Sequence, residues 1–187
     1  MQTPHTGKIF GIGFHKTATT SLGVALETLG YSCRGVTKGA LPYVIADNLE
    51  PVFGLVEKYD SFQDNPWPLL FRELDQRYPG SRFILTVRSP KDWIASVVNH
   101  FGSRPTDMRN WIYGVGAPFG NESVYLQRYL EHNTEVMRYF RHRPGDLLIM
   151  DICDGDGWEV LCPFLGHAVP EIEYPRKNVR RDTRLAM

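Results

Sequence analysis

Residues 8–22, KIFGIGFHKTATTSL, decide the fold of this 187-residue chain. The first seven, KIFGIGF, form a short apolar run bounded by polar residues, the pattern of a buried strand. Beyond the loop, Leu22, Ala25, Leu26 and Leu29 recur at helical spacing, and Gly30 stands where a helix ends. Strand, loop and helix in that order open a parallel α/β sheet. At such a junction the free N–H groups of the first helical turn and the helix dipole converge on any bound anion. Lys16 adds a mobile positive charge at the same place.

Working outward, residues 60–64 read as a second short strand, followed by Asn65 and Pro66 as an N-cap and first-turn pair for a helix carrying Trp67, Leu70, Phe71 and Leu74. Residues 82–87, RFILTV, are almost continuously apolar, as a central parallel strand covered on both faces should be. That strand ends at Arg88. Ser89, Pro90 and Asp92 then supply an N-cap, an N1 proline and an acidic third residue, which predicts a helix to about His100. Residues 102–120, rich in Gly, Pro, Trp and Tyr, show no period and read as an irregular excursion.

A long helix is expected over 122–141, with Leu126, Tyr129, Leu130, Val136, Met137 and Phe140 on one apolar face. Residues 147–150 read as another buried strand, and Trp158, Leu161, Cys162 and Leu165 as a last short helix. Strands alternating with helices predict one three-layer α/β domain over 1–187, mostly parallel, with a core at about 8–178 and a basic tail at 179–187.

Composition narrows the partners. Lys plus Arg and Asp plus Glu number 21 each, so no global field draws the chain to nucleic acid or to an anionic membrane. Residues 1–8 are polar, and no run approaches the roughly 18 apolar residues of a membrane span. The expectation is a cytoplasmic protein. Cys33, Cys153 and Cys162 have neither CxxC spacing nor an even count, which suggests reduced thiols rather than a disulfide framework or a zinc site.

The loop is not that of a nucleoside triphosphatase. A G-x-x-x-x-G-K-S/T motif would place glycine before the lysine and five residues earlier, where this chain has His15 and Phe10. Instead Lys16-Thr17-Ala18-Thr19-Thr20-Ser21 resembles the 5'-phosphosulfate loop of cytosolic sulfotransferases and their bacterial relatives, K-S/T-G-T-T/S, with Ala18 in place of the glycine. A second motif resembles the same family: Val87-Arg88-Ser89-Pro90-Lys91-Asp92, with Ser96 eight residues after Arg88, is similar to its 3'-phosphate-binding segment. An Arg at the carboxyl end of a parallel strand can present a bidentate fork to phosphate, where open sheets bind their ligands. The remaining likeness, weaker, runs from residue 8 to about 178 and suggests a compact bacterial branch.

The resemblance implies transfer of a sulfuryl group from 3'-phosphoadenosine 5'-phosphosulfate without a metal, leaving 3',5'-adenosine bisphosphate. It implies donor contacts from His15, Lys16, Thr17, Ala18, Thr19, Thr20, Ser21, Arg88 and Ser96, and from Arg176, since Arg176-Lys177-Asn178 partly resembles a basic loop of the family. Lys16 is the expected catalytic cation. Asp64, at the end of the second strand where relatives carry their base, is the first candidate to deprotonate the acceptor; His15 and His100 are the alternatives. The acceptor is a small molecule, a lipid or a carbohydrate, and neither it nor the oligomeric state is legible. Trp67, Trp93, Phe101, Trp111, Tyr113 and Phe119 are candidates for an apolar acceptor pocket or for core. A catalytically inactive nucleotide-binding module, or a small P-loop kinase, are the competing readings.

Overall fold

The computed structural model describes residues 4–177; Asn178 and the basic tail expected at 179–187 lie outside the described residues. Five strands, β1 (Ile9–Gly11), β2 (Cys33–Arg34), β3 (Ser61–Phe62), β4 (Arg82–Thr86) and β5 (Leu147–Met150), form one sheet in the order β2-β3-β1-β4-β5. Every pairing is parallel, with Phe10 opposite Phe62 on one side and Phe83 on the other. The helices are α1 (Thr19–Thr28), α2 (Leu41–Ile45), α3 (Glu50–Val56), α4 (Phe71–Arg77), α5 (Pro90–Phe101), α6 (Asp107–Tyr113), α7 (Glu122–Phe140) and α8 (Trp158–Leu165).

The two-residue period of a strand sorts the core into layers. Phe10, Phe83 and Leu85 pack with Phe62, Trp67, Phe71, Val136 and Phe140 on one face. Their neighbours Ile9 and Ile84 pack with Leu22, Leu26, Met150, Trp158 and Leu161 on the other. In cores of this kind, truncating one ring to Ala costs about 3–5 kcal/mol. A third cluster, Phe14, Trp93, Val97, Tyr113, Tyr125 and Tyr129, lies under the loop that leaves β1 and forms its rigid bed.

Several expectations need correcting. Asn65 and Pro66 do not cap a helix: a 3-10 turn over Trp67–Leu70 precedes α4, and no side chain caps it. The Asn65 amide is used elsewhere, on His15. The stretch 102–120 is not wholly irregular but holds α6, whose N-cap Thr106 accepts the Arg109 N–H. On α7, Leu130 and Met137 are exposed, while Tyr125, His132 and Asn133 are buried, because the core-facing stripe is narrower and more polar than the hydrophobic count suggests. Strand β5 lies at the sheet edge, which leaves Ile149 45% exposed. Strand β2, with only two residues, and helices α2 and α3 carry too little pattern to be foreseen.

Parallel order points every strand's carboxyl end the same way. The chain runs from β1 to β2 and β3 on one side, then crosses to β4 on the other, so the crevice beside β1 is the topological switch point where ligands bind open sheets. No helix among the described residues is long and apolar enough to cross a membrane.

Candidate active site

A cleft of about 900 Å³ opens at that crevice, lined by residues that follow β1, β2, β3, β4 and β5. Its floor begins with the loop from β1 to α1. Gly13 lets this loop press on β4: a Cβ there would sit 2.8 Å from Thr86 N and within impossible contact of Thr86 O and Oγ1. Thr17 is fully buried, its hydroxyl 2.6 Å from both Phe14 O and Thr86 Oγ1. Its side chain therefore fastens the loop to β4 and, unlike Lys16, Ala18, Thr19, Thr20 and Ser21, does not line the cleft.

Lys16 and Ala18 both adopt the left-handed conformation, with φ of 68° and 66°. Ala18 thus stands where glycine is favoured, at a cost of about 1–2 kcal/mol. The gain is geometric. Ala18 is the N-cap of α1, no side chain caps the helix, and no acidic residue lies in its first turn. Backbone donors and the positive dipole end are thus left to the cleft that Ala18, Thr19, Thr20 and Ser21 line. Ser21 Oγ accepts the Lys177 N–H at 2.9 Å, which lays the C-terminal segment across α1.

From β4, Arg88 enters the cleft with its backbone clamped by Tyr129, whose hydroxyl accepts from Arg88 N at 2.9 Å and donates to Arg88 O at 2.8 Å. The guanidinium makes one long bond, 3.4 Å, to Lys16 O. Ser89 caps α5 by accepting the Asp92 N–H, and its hydroxyl also holds the Asp92 carboxylate at 2.6 Å. Ser96 follows on α5 and lines the same cleft as Arg88. Arg176 reaches it from the C-terminal side, with two of its N–H groups donating to Ile152 O and Gly155 O. Lys16, Arg88, Arg176 and Lys177 thus bring four cationic side chains to one pocket.

Asp64 follows β3, with φ of 65°, a conformation that Asp tolerates better than most residues. Its Oδ1 accepts the Asn65 N–H at 2.7 Å, and its Oδ2 faces the Thr19 hydroxyl at 3.4 Å. Burial raises its pKa above the ordinary carboxylate value, and the hydrogen bonds from Asn65 and Thr19 and the charges of Lys16 and His100 oppose the rise. This is the environment that tunes a carboxylate as a base.

The two histidines differ from Asp64 and from each other. His15 is 4% exposed; its Nδ1 accepts from Asn65 Nδ2 at 3.1 Å, which puts the ring proton on Nε2, 3.1 Å from the Tyr113 hydroxyl. Burial first, then Arg109 and Lys16, push its pKa down to about 3. Both nitrogens are engaged, so His15 reads as a neutral girder of the loop. His100 lies at the cleft wall, its pKa lowered by desolvation and by Lys16, Arg104 and Arg109.

Residues not foreseen from sequence also line the cleft, among them Lys38, Asp107, Met108, Arg109 and Cys153. Arg109 is 8% exposed; it donates to Gly116 O at 3.0 Å and to Arg104 O, and lies 4.3 Å over the Phe101 ring. The Thr106-Asp107 pair that starts its helix was the one available signal. Of the six aromatic candidates for an acceptor pocket, Phe101 alone lines the cleft. Trp67, Trp93 and Tyr113 are core, Trp111 packs against the third cluster, and Phe119 is 64% exposed.

Fold and site together define an α/β protein with a strand-to-helix loop carrying Lys16 and an arginine at the switch point of a parallel sheet. A sulfotransferase domain family model matches residues 8–121 and 107–183, which is most of the chain. The chain is also 29% identical to the Ava biosynthesis cluster protein M of Aspergillus versicolor over 212 aligned residues, 90% of this chain and 79% of that protein. This chain belongs to the sulfotransferase domain family, and sulfuryl transfer to an acceptor substrate is the general activity that membership assigns.

Proposed function

We propose that this protein transfers the sulfuryl group of 3'-phosphoadenosine 5'-phosphosulfate to a hydroxyl or amine of a small-molecule acceptor, without a metal. One observation carries the reading: the uncapped N-terminus of α1 with Lys16, the arginine that follows β4 with Ser96, and the carboxylate that follows β3 share one cleft. The N-terminus of α1 with Lys16, and Arg88 with Ser96, suit a nucleotide whose ribose carries phosphates at both its 5' and 3' positions. The family membership and a relative named for a biosynthesis cluster support a sulfotransferase with a small-molecule acceptor.

The donor supplies a sulfuryl group joined to a 5'-phosphate, a good leaving group. In this reading Arg88 and Ser96, with the charge of Arg176, hold the 3'-phosphate, and the α1 N–H groups hold the 5'-phosphate. As the acceptor oxygen or nitrogen bonds to sulfur and the bond from sulfur to the phosphate oxygen breaks, the electron pair stays on that oxygen. Lys16, Thr19 and Thr20 meet the charge that develops there. Asp64 takes the acceptor's proton, and no cation other than protein side chains is needed.

The test is turnover in EDTA, with the sulfated donor beside ATP and magnesium over a panel of alcohols, phenols and amines. Sulfated product formed in EDTA, reduced on the order of 10²-fold or more by Lys16→Ala, is the expected result. Turnover of ATP that needs magnesium points to a kinase, and donor binding without any product points to a binding module.

A further inference from the structure

Asp64 has two oxygens in different situations. Oδ1 is held by the backbone of Asn65 at 2.7 Å, whereas the bond recorded for Oδ2 is the 3.4 Å contact from the Thr19 hydroxyl. Thr19 is 4% exposed, the first residue of α1, and lines the cleft. A threonine hydroxyl has one proton to donate. In the proposed function that proton belongs to the donor's 5'-phosphate, so the same hydrogen cannot serve both partners.

We propose that Thr19 couples the two substrate sites: filling the anion site at α1 turns its hydroxyl from Asp64 Oδ2 to the phosphate, and so frees that oxygen to receive the acceptor's proton. The proposal rests on the donor reading above and adds an order to it, donor before acceptor.

Three observations support the exchange. At 3.4 Å the Thr19 contact is well beyond the usual 2.7–2.8 Å of an O–H···O bond, so an anionic acceptor at hydrogen-bond distance displaces it readily. Oδ1 stays fixed by Asn65 throughout, so the carboxylate keeps its orientation while Oδ2 is released. The groups that act on Asp64 come from every side: Lys16 from the loop, Thr19 from α1, His100 from α5 and Tyr113 from α6. Losing the Thr19 bond removes one of the contributions that lower the Asp64 pKa, and the incoming anion engages Lys16, which removes another. Asp64 is then a stronger base only when the sulfuryl donor is in place. Without donor, Oδ2 shares its charge with the Thr19 hydroxyl, and an acceptor bound alone has a weaker partner.

The experiment follows the Asp64 carboxyl carbon by NMR through a pH titration, free and saturated with 3',5'-adenosine bisphosphate, in the wild type, Thr19→Val and Thr19→Ser, with Asp64→Asn to assign the signal. The same samples are titrated with an acceptor found by turnover. Expected in the wild type is a rise of the Asp64 pKa on bisphosphate binding and acceptor affinity improved about two- to tenfold, the span of one ordinary hydrogen bond. In Thr19→Val the free protein already shows the higher pKa and most of the improvement is gone, while Thr19→Ser behaves as wild type. An equal rise and equal improvement in wild type and Thr19→Val overturns the coupling and leaves the donor reading standing. Failure of the wild type to bind the bisphosphate overturns both.

Discussion

Tyr129 brackets Arg88 with a single hydroxyl, accepting from its N–H at 2.9 Å and donating to its C=O at 2.8 Å, while the Tyr129 ring stacks on Trp93 at 4.2 Å. The arginine that lines the cleft is thereby held by its backbone in the short stretch between β4 and α5. Tyr129→Phe keeps the ring stack and removes both bonds. Leaving two backbone groups short of partners should cost about 1–3 kcal/mol in stability and weaken 3',5'-adenosine bisphosphate binding several-fold. Denaturant unfolding and calorimetric titration measure the two effects; unchanged affinity would show that the clamp does not position Arg88.

Ala18 makes the opposite kind of prediction. At φ of 66° its Cβ is strained, and glycine removes the strain without disturbing a side-chain contact to any capping group. Ala18→Gly should raise stability by about 1 kcal/mol net of the extra chain entropy, with donor affinity kept or improved. Thermal unfolding checks the first part. A loss of stability would mean that the Ala18 methyl packs more tightly against its neighbours than the strain costs.

Buried histidines set the response to acid. His132 is fully buried, stacked on Phe14 at 4.2 Å, and its Nε2–H donates to Ile12 O at 2.7 Å. Burial lowers its pKa from 6.5 to about 4, and that of His15 from 6.5 to about 3. Both folded values lie below the unfolded one, so the stability these rings contribute is full above about 6.5 and is lost as pH falls towards 4 and 3. Asp64, with its raised pKa, works the other way. The melting temperature should be flat above neutrality and fall through the mildly acid range, with a smaller slope in His132→Gln, which keeps a donor but cannot take a proton. An unchanged slope in that variant would contradict the assignment.

What the sequence reveals, it reveals through period and through residues with one dominant use. The near-continuous apolar run in residues 82–87, the helical spacing from Leu22 to Leu29 and the Ser89-Pro90-Asp92 cap each match the structure closely, because local chemistry and tertiary packing ask for the same thing there. Lys16, Thr19, Asp64, Arg88 and Ser96 converge because parallel strands gather their carboxyl ends at one edge. Where a residue has two uses, sequence alone does not choose between them. Thr17 sits inside the anion motif but spends its hydroxyl on Thr86, and Asn65 has the chemistry of an N-cap but bonds His15. Two-residue strands such as β2 have no period at all, so Lys38 and its neighbours reach the cleft unannounced.

The most direct test of the account is calorimetric titration with 3',5'-adenosine bisphosphate in EDTA, beside adenosine 5'-monophosphate and beside ATP with magnesium, on the wild type and on Arg88→Ala. The account predicts that the bisphosphate binds without metal and more tightly than the other two, and that Arg88→Ala erases its advantage over the monophosphate. Preference for ATP with magnesium, or an advantage that survives in Arg88→Ala, would contradict it.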